Sequence, residues 1–202
     1  MSASRKAKVV IAGHINVGKS SILYRFDHDD LPTVSSTVGV SFARRSFTRD
    51  DETLSLDIWD TARQERFYSI SSIYFRNATH CIFVFDLTDY HSFKMVDKWI
   101  RSCNDANPQT NLPTYFLVGN KVDQKRVIDR TEINEYCKKH DIYYYIETSA
   151  YTGDGIKLLQ QKIVDHAFTH DINKIVRNDV VDITSNHDVM ALCPSCDYHT
   201  YI

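Results

Sequence analysis

The sequence predicts an α/β domain: a mostly parallel sheet with helices on both faces and one antiparallel edge strand. Three observations carry this. Short apolar runs of strand length alternate with longer stretches of helical spacing. Two of the runs are separated only by Arg49-Asp50-Asp51-Glu52, too short for a crossover and right for a hairpin. The first run ends in a glycine-rich turn that leads into a helix.

Ala7–Gly13 reads as a buried strand, apolar and closed by glycine. A helix follows over Gly18–Asp27, with Ile22, Leu23 and Phe26 facing inward. Leu31–Thr37 carries Pro32 and polar residues and is expected to be a loop. Phe42–Arg49 and Thr53–Asp60 form the hairpin, in which Leu54, Leu56 and Ile58 alternate with Ser55 and Asp57 to give one buried face. Cys81–Phe85, Tyr115–Gly119 and Tyr143–Ile146 are the remaining strands. Helices are expected over Phe67–Asn77, Ser92–Asp105, Thr131–Lys139 and Gly155–Phe168; in the last, Ile156, Leu159, Ile163 and Ala167 recur at helical spacing. The domain is expected to span 1–170. Residues 171–202 are polar, without clear periodicity, and read as a flexible tail.

The bulk composition fits this division. A chain of 202 residues accommodates one α/β domain and a short extension, and 43% hydrophobic with 25% charged residues supports a buried core. The formal net charge of −2 gives no broad electrostatic reason to expect a nucleic-acid partner. Met1–Lys8 is polar and basic and leads into no apolar stretch long enough for a signal peptide or a membrane span, so a cytoplasmic protein is expected. Of the five cysteines, Cys81, Cys103 and Cys137 fall in regular segments and read as small buried hydrophobes.

Gly13-His14-Ile15-Asn16-Val17-Gly18-Lys19-Ser20 matches the phosphate-loop pattern G-x-x-x-x-G-K-S, in the strand-to-helix context it requires. Consecutive backbone N–H groups and the positive helix end suit a β-phosphate. Lys19 supplies a point charge to the β- and γ-phosphates, and the Ser20 hydroxyl is an oxygen ligand of the kind Mg²⁺ prefers. The loop alone does not choose between ATP and GTP.

Asn120-Lys121-Val122-Asp123 makes that choice. It follows a strand, and the two oxygens of Asp123 match the adjacent N1–H and exocyclic amine of guanine, an edge adenine lacks. The Asn120 amide is placed to brace the loop and touch N7, and the Lys121 stem to lie along the base. Ser149-Ala150 follows the last strand and offers a backbone N–H to the guanine O6. Between phosphate loop and base pocket stand three further candidates: Thr37 as a second Mg²⁺ ligand, Asp60 approaching Mg²⁺ through water, and Gln64 holding the attacking water.

With Gly13–Ser20, Ser36-Thr37-Val38-Gly39-Val40, Trp59-Asp60-Thr61-Ala62-Arg63-Gln64-Glu65-Arg66-Phe67, Asn120–Asp123 and Glu147–Ala150 in hand, the chain resembles the Ras superfamily, and most of all its Rab branch. Phe83–Asp89 followed by Ser92-Phe93 has the same flavour, and the likeness covers about residues 6–170. The resemblance implies a P-loop NTPase fold with a six-stranded sheet and two nucleotide-sensing switches. It implies a GTP/GDP switch in vesicle-mediated membrane traffic, with effector proteins, an exchange factor and an activating protein as partners, and a place on the cytosolic face of endomembranes. The nucleotide-contacting set it implies is Gly13, Asn16, Val17, Gly18, Lys19, Ser20, Ser21, Thr37, Asn120, Lys121, Asp123, Ser149, Ala150 and Tyr151. Mg²⁺ falls to Ser20, Thr37 and Asp60, and catalysis to Gln64.

The departures from the family pattern point to slow hydrolysis and altered exchange. Arg63 replaces the glycine of Asp-x-x-Gly, whose N–H meets the γ-phosphate and whose freedom lets the second switch move. The expectation is an impaired switch; the alternatives are a built-in arginine that reaches the phosphates and an exposed, tolerated side chain. Ile15 stands where the family has glycine or a small polar residue and would crowd Gln64 and its water. Leu31 lies where an aromatic often covers the base, a loss of about 0.5–1.5 kcal/mol. Tyr151 replaces the usual lysine, either stacking on guanine or lying at the surface. A hydrolysis-deficient, GTP-bound scaffold that recruits partners without cycling is the alternative function. In the tail, Cys193-Pro194-Ser195-Cys196 is followed by six further residues rather than a C-a-a-X ending, and no polybasic cluster precedes it. Free thiols are expected there; prenylation of Cys193 or Cys196, with membrane association through the tail, and a zinc site with His187 and His199 remain as alternatives.

Overall fold

A computed structural model describes residues 4–30, 41–61 and 73–169. Leu31, Ser36–Val40 with Thr37, Ala62–Phe67 with Arg63 and Gln64, and the tail with Cys193, Cys196, His187 and His199 lie outside the described residues. Of the helix expected over Phe67–Asn77, residues 67–72 also lie outside the described ones, 73–75 are helical, and 76–77 form a turn in which Asn77 takes φ 58°, which ends the helix two residues early.

Six strands form one sheet in the order β2-β3-β1-β4-β5-β6. They are β1 (Ser4–Gly13), β2 (Ser41–Arg49), β3 (Glu52–Asp60), β4 (His80–Asp86), β5 (Thr114–Asn120) and β6 (Tyr144–Thr148). All neighbours are parallel except β2, which pairs antiparallel with β3 at the edge. The turn between them is made by Asp50 (φ 47°) and Asp51 (φ 66°), a two-residue loop with both centres left-handed, which matches the twist of a tight hairpin.

Besides residues 73–75, the α-helices among the described residues are α1 (Lys19–Arg25), α2 (Tyr90–Lys94), α3 (Val96–Ala106), α4 (Arg130–Lys139) and α5 (Ile156–Thr169). The single helix expected over Ser92–Asp105 is two. Asp89 starts α2 earlier by accepting the His91 N–H at 2.9 Å, and Met95 joins the pair, with the Lys98 N–H reaching the Met95 carbonyl at 3.1 Å. Likewise β1 begins at Ser4, because Arg5 of β1 and Glu52 of β3 pair at 3.0 Å across the polar end of the sheet.

Strand alternation sorts the sheet into two cores. Val9 and Ile11 of β1, with Ile82, Val84, Phe116 and Val118, face α1 and α5. Val10 and Ala12, with Phe83, Phe85 and Leu117, face α2, α3 and α4. β4 is buried along its whole length, as a central strand covered on both faces must be. On α5 the expected stripe Ile156, Leu159, Ile163 and Ala167 is buried in the first core; Ile156, Leu159 and Ile163 each contribute about 1.5–3 kcal/mol, and the Ala167 methyl less. Asp57, expected on the open face of β3, is buried under Arg44 at 2.6 Å and Lys6 at 2.9 Å; the Arg44 hydrogen bonds hold its carboxyl below the usual aspartate value despite burial. Cys81, Cys103 and Cys137 are buried thiols, the first two 3.4 Å apart.

Candidate functional site

The carboxyl ends of β1, β4, β5 and β6 meet at one edge of the sheet, and the loops that leave them carry the expected residues. The first loop needs its glycines. A Cβ on Gly13 would lie 2.1 Å from the Val84 carbonyl oxygen, so only glycine lets β1 turn out beside β4. Gly18 stands at φ 98° as the cap of α1, where a Cβ would lie 2.3 Å from Asn120 Nδ2. No side chain caps α1 at Gly18. Asn16 takes φ 62° between the two glycines. Val17 is buried at 1% exposure in the core beneath the loop, while Ile15 is 38% exposed.

Lys19 is buried. Its ammonium donates to the Gly13 and His14 carbonyls, each at 2.8 Å, so the charge is folded over the concave side of the loop. Ser20, one residue on, donates its hydroxyl to Asp60 Oδ2 at 2.5 Å. Asp60 ends β3 with no solvent exposure and is fixed by the next residue, since Thr61 Oγ1 donates to the Ile11 carbonyl at 2.8 Å. A hydroxyl and a carboxylate brought together beside a lysine give a hard-oxygen donor set, and a glycine cradle next to them leaves room for phosphate. These residues fit Mg²⁺ and a nucleotide phosphate. Ser21 lies in the first turn of α1.

The two elements expected to read the base are locked to that loop through one amide. Asn120 Nδ2 donates to the Val17 carbonyl at 2.8 Å. Its Oδ1 accepts from Thr148 Oγ1 and from the Ala150 N–H, both at 3.1 Å. The Ala150 N–H, which the sequence reading offered to guanine O6, is thus held by Asn120. Ser149 donates its hydroxyl to Asp123 Oδ1 at 2.5 Å, setting the plane of the carboxylate expected from the sequence to read guanine. Lys121, at φ 67°, sends its ammonium to Asp86 Oδ2 at 2.5 Å, and Asp86 accepts at Oδ1 from the Thr88 N–H at 2.8 Å. Tyr151 is 67% exposed. Beneath the loop, Glu147 is gripped by Arg126 and by Tyr145 at 2.9 Å, with Arg130 at 3.2 Å. Burial alone would raise its pKa, but these partners outweigh burial and hold the carboxyl below the usual glutamate value.

The structure therefore brings together Gly13, Asn16, Val17, Gly18, Lys19, Ser20 and Asp60 on one side, and Asn120, Lys121, Asp123, Ser149 and Ala150 on the other. Thr37 and Gln64 lie outside the described residues. Two features escaped the sequence reading. Arg25, at the end of α1, holds the carbonyls of Ala150 and Tyr151 at 2.9 and 2.6 Å. Phe42, Trp59 and Tyr74 form an aromatic row across the edge of the sheet, with centroids 4.9 and 6.0 Å apart and Phe42 49% exposed. The hairpin register, which sets Phe42 against Trp59, was the available signal for the row.

The geometry agrees with what comparison with known proteins finds. A model of the Ras family matches residues 8–169. The chain is 36% identical over 160 residues to Ras-related protein Rab-18-B of Danio rerio, covering 78% of this chain and 77% of that one. It is 38% identical over 160 residues to Ras-related protein YPTC6 of Chlamydomonas reinhardtii, covering 78% and 73%. It is 36% identical over 160 residues to Ras-related protein Rab-11A of Dictyostelium discoideum, covering 78% and 73%.

Proposed function

The chain belongs to the Ras family as a Rab-like small GTPase, and from that premise we propose that it is a GTP/GDP switch in vesicle-mediated membrane traffic with slow intrinsic hydrolysis. One observation carries the reading of the site: Asn120 ties the phosphate loop at Val17 to both base-reading elements at Thr148 and Ala150. A nucleotide that fits one end is thereby presented at the other.

In this reading the loop N–H groups and Lys19 hold the phosphates, and Ser20, Thr37 and Asp60 hold Mg²⁺, which when bound neutralises phosphate charge. Asp123 reads the two guanine N–H groups, in the orientation set by Ser149. Gln64 orients the attacking water. Ile15, exposed on the phosphate loop, narrows the space for that water, and Arg63 stiffens the segment that must close on the γ-phosphate. These two residues are also what favours the second reading, a GTP-bound scaffold that recruits partners without cycling.

The aromatic row of Phe42, Trp59 and Tyr74, exposed at Phe42 and partly buried at the other two, supports docking of an effector on this edge of the sheet, since aromatic residues anchor partner surfaces. An exchange factor and an activating protein complete the partner set; no nucleic acid enters the reading. No helix among the described residues is long and apolar enough to cross a membrane. Attachment to the cytosolic face of an endomembrane, if the chain has it, would run through the 171–202 tail, where Cys193 and Cys196 are the residues to examine for lipid by intact mass.

Single-turnover hydrolysis of bound GTP, timed for the wild type and for Arg63→Gly, tests the reading. The expected result is a slow wild type that accelerates on substitution. Hydrolysis at the pace of an ordinary family member removes the slow-cycling part; no hydrolysis in either protein favours the scaffold.

A further inference from the structure

Arg25 belongs neither to the phosphate loop nor to either base-reading element, yet its guanidinium spreads over three main-chain carbonyls. Nε donates to Ala150 at 2.9 Å, Nη2 to Tyr151 at 2.6 Å, and Nη1 to Asp29. Three bonds from one planar fork fix the orientation of two successive peptide groups, 150–151 and 151–152.

That orientation has a consequence on the far side of each peptide. A trans peptide is planar, so a carbonyl and the following N–H point in opposite directions. Holding the Tyr151 carbonyl turns the Thr152 N–H away from α1, where it donates to Ser149 Oγ at 3.0 Å. Ser149 spends its one hydroxyl hydrogen on Asp123 Oδ1 at 2.5 Å. A continuous chain thus runs from the guanidinium to the carboxylate that reads guanine. Holding the Ala150 carbonyl turns the Tyr151 N–H the same way, away from α1. The Ala150 N–H already leans on Asn120 Oδ1 at 3.1 Å and can be shared with O6, and the Tyr151 N–H gives this loop a second donor beside it.

We propose that Arg25 is a positioning residue for guanine recognition: it aims the Tyr151 N–H at O6 and, through Thr152 and Ser149, sets the plane of Asp123. The assignment rests on the guanine-nucleotide reading of the site. Its third bond, to Asp29, ties the same loop to the exit of α1, just ahead of the segment that carries Thr37. Lysine is a poor substitute, because one ammonium on a flexible stem cannot hold two consecutive carbonyls in a fixed plane.

The test times release of GDP, 6-thio-GDP and inosine diphosphate from the wild type, Arg25→Lys and Arg25→Gln. The sulfur of 6-thio-GDP is a weak acceptor and reports the O6 contact; inosine diphosphate lacks the 2-amino group and reports Asp123. The wild type is expected to release both analogues faster than GDP. In Arg25→Gln, GDP release is expected to rise about tenfold, and the advantage of GDP over both analogues to shrink towards one. Arg25→Lys falls between the two. The factor by which Mg²⁺ chelation speeds release stays as in the wild type, because the phosphate end is untouched. General loosening of the fold predicts instead one common acceleration for all three nucleotides. That outcome, or unchanged GDP release, overturns the assignment while leaving the guanine reading intact. A wild type that holds no guanine nucleotide overturns both.

Discussion

Asn120 Nδ2 sits 2.8 Å from the Val17 carbonyl, 103 residues away in sequence, and joins the two ends of the nucleotide site through a buried side chain. Removing the amide leaves the Val17 carbonyl, the Thr148 hydroxyl and the Ala150 N–H without this partner. Each such loss costs about 1–3 kcal/mol. Asn120→Ala is therefore expected to release a fluorescent GDP analogue at least about tenfold faster, while the far-ultraviolet circular dichroism stays that of the wild type, since the sheet ladders do not depend on the side chain. Release at the wild-type rate would remove Asn120 from its connecting role.

Ile15 is 38% exposed on the phosphate loop, so shortening it leaves no cavity in the core. Ile15→Gly is expected to raise the single-turnover hydrolysis rate about tenfold, with nucleotide affinity little changed, because the substitution opens space for the water without touching the backbone donors. Combined with Arg63→Gly the gain is expected to exceed either alone. A variant no faster than the wild type argues that Ile15 does not crowd the reacting water.

The frame beneath the base pocket has a pH signature. Glu147 keeps a pKa below its unfolded value because Arg126, Tyr145 and Arg130 outweigh the burial that opposes them. A depressed carboxylate stabilises the fold above its unfolded pKa, about 4.3, and that contribution fades as pH falls through the lower folded value. Arg126→Ala should therefore shift the acid-unfolding midpoint to higher pH, with the difference from the wild type largest above about pH 5 and vanishing at the acid end. A difference that grows towards low pH contradicts the pairing.

His80 on β4 and His166 on α5 meet in the first core, with Nε2 of one 2.9 Å from Nδ1 of the other. Thr79 Oγ1 donates to the Lys8 carbonyl at 3.0 Å and lies 2.8 Å from His80 Nδ1, so the pair is anchored at the start of β4. Removing one partner, as in His166→Leu, is expected to cost about 1–3 kcal/mol in urea unfolding. Replacing both with apolar residues should return much of that loss. Single variants as stable as the wild type would show that the bond contributes nothing.

The extent to which the sequence announced this site depends on range. Gly13–Ser20 and Asn120–Asp123 were legible because each is a short, contiguous solution to one problem of backbone or base geometry. The hairpin was legible from Asp50-Asp51, residues that tolerate a left-handed turn. The split between α2 and α3 was not, because Met95 is neither glycine nor proline and the distortion is one of hydrogen-bond spacing. Arg25 was hidden for another reason. Nothing in Tyr24-Arg25-Phe26 distinguishes a surface arginine from one that spans 125 residues to the Ala150 carbonyl. The burial of Asp57 was also unreadable, since its partners Lys6 and Arg44 come from the two neighbouring strands.

A GTP/GDP switch requires that this chain bind guanine nucleotide on the surface joined by Asn120. The most direct measurement identifies the nucleotide carried by the freshly purified protein, by chromatography after denaturation, and repeats the binding assay with Asp123→Asn. About one GDP or GTP per chain is expected, and a variant that exchanges preference for guanine for preference for xanthine nucleotide. Recovery of an adenine nucleotide, or binding by Asp123→Asn with guanine preference unchanged, would contradict it.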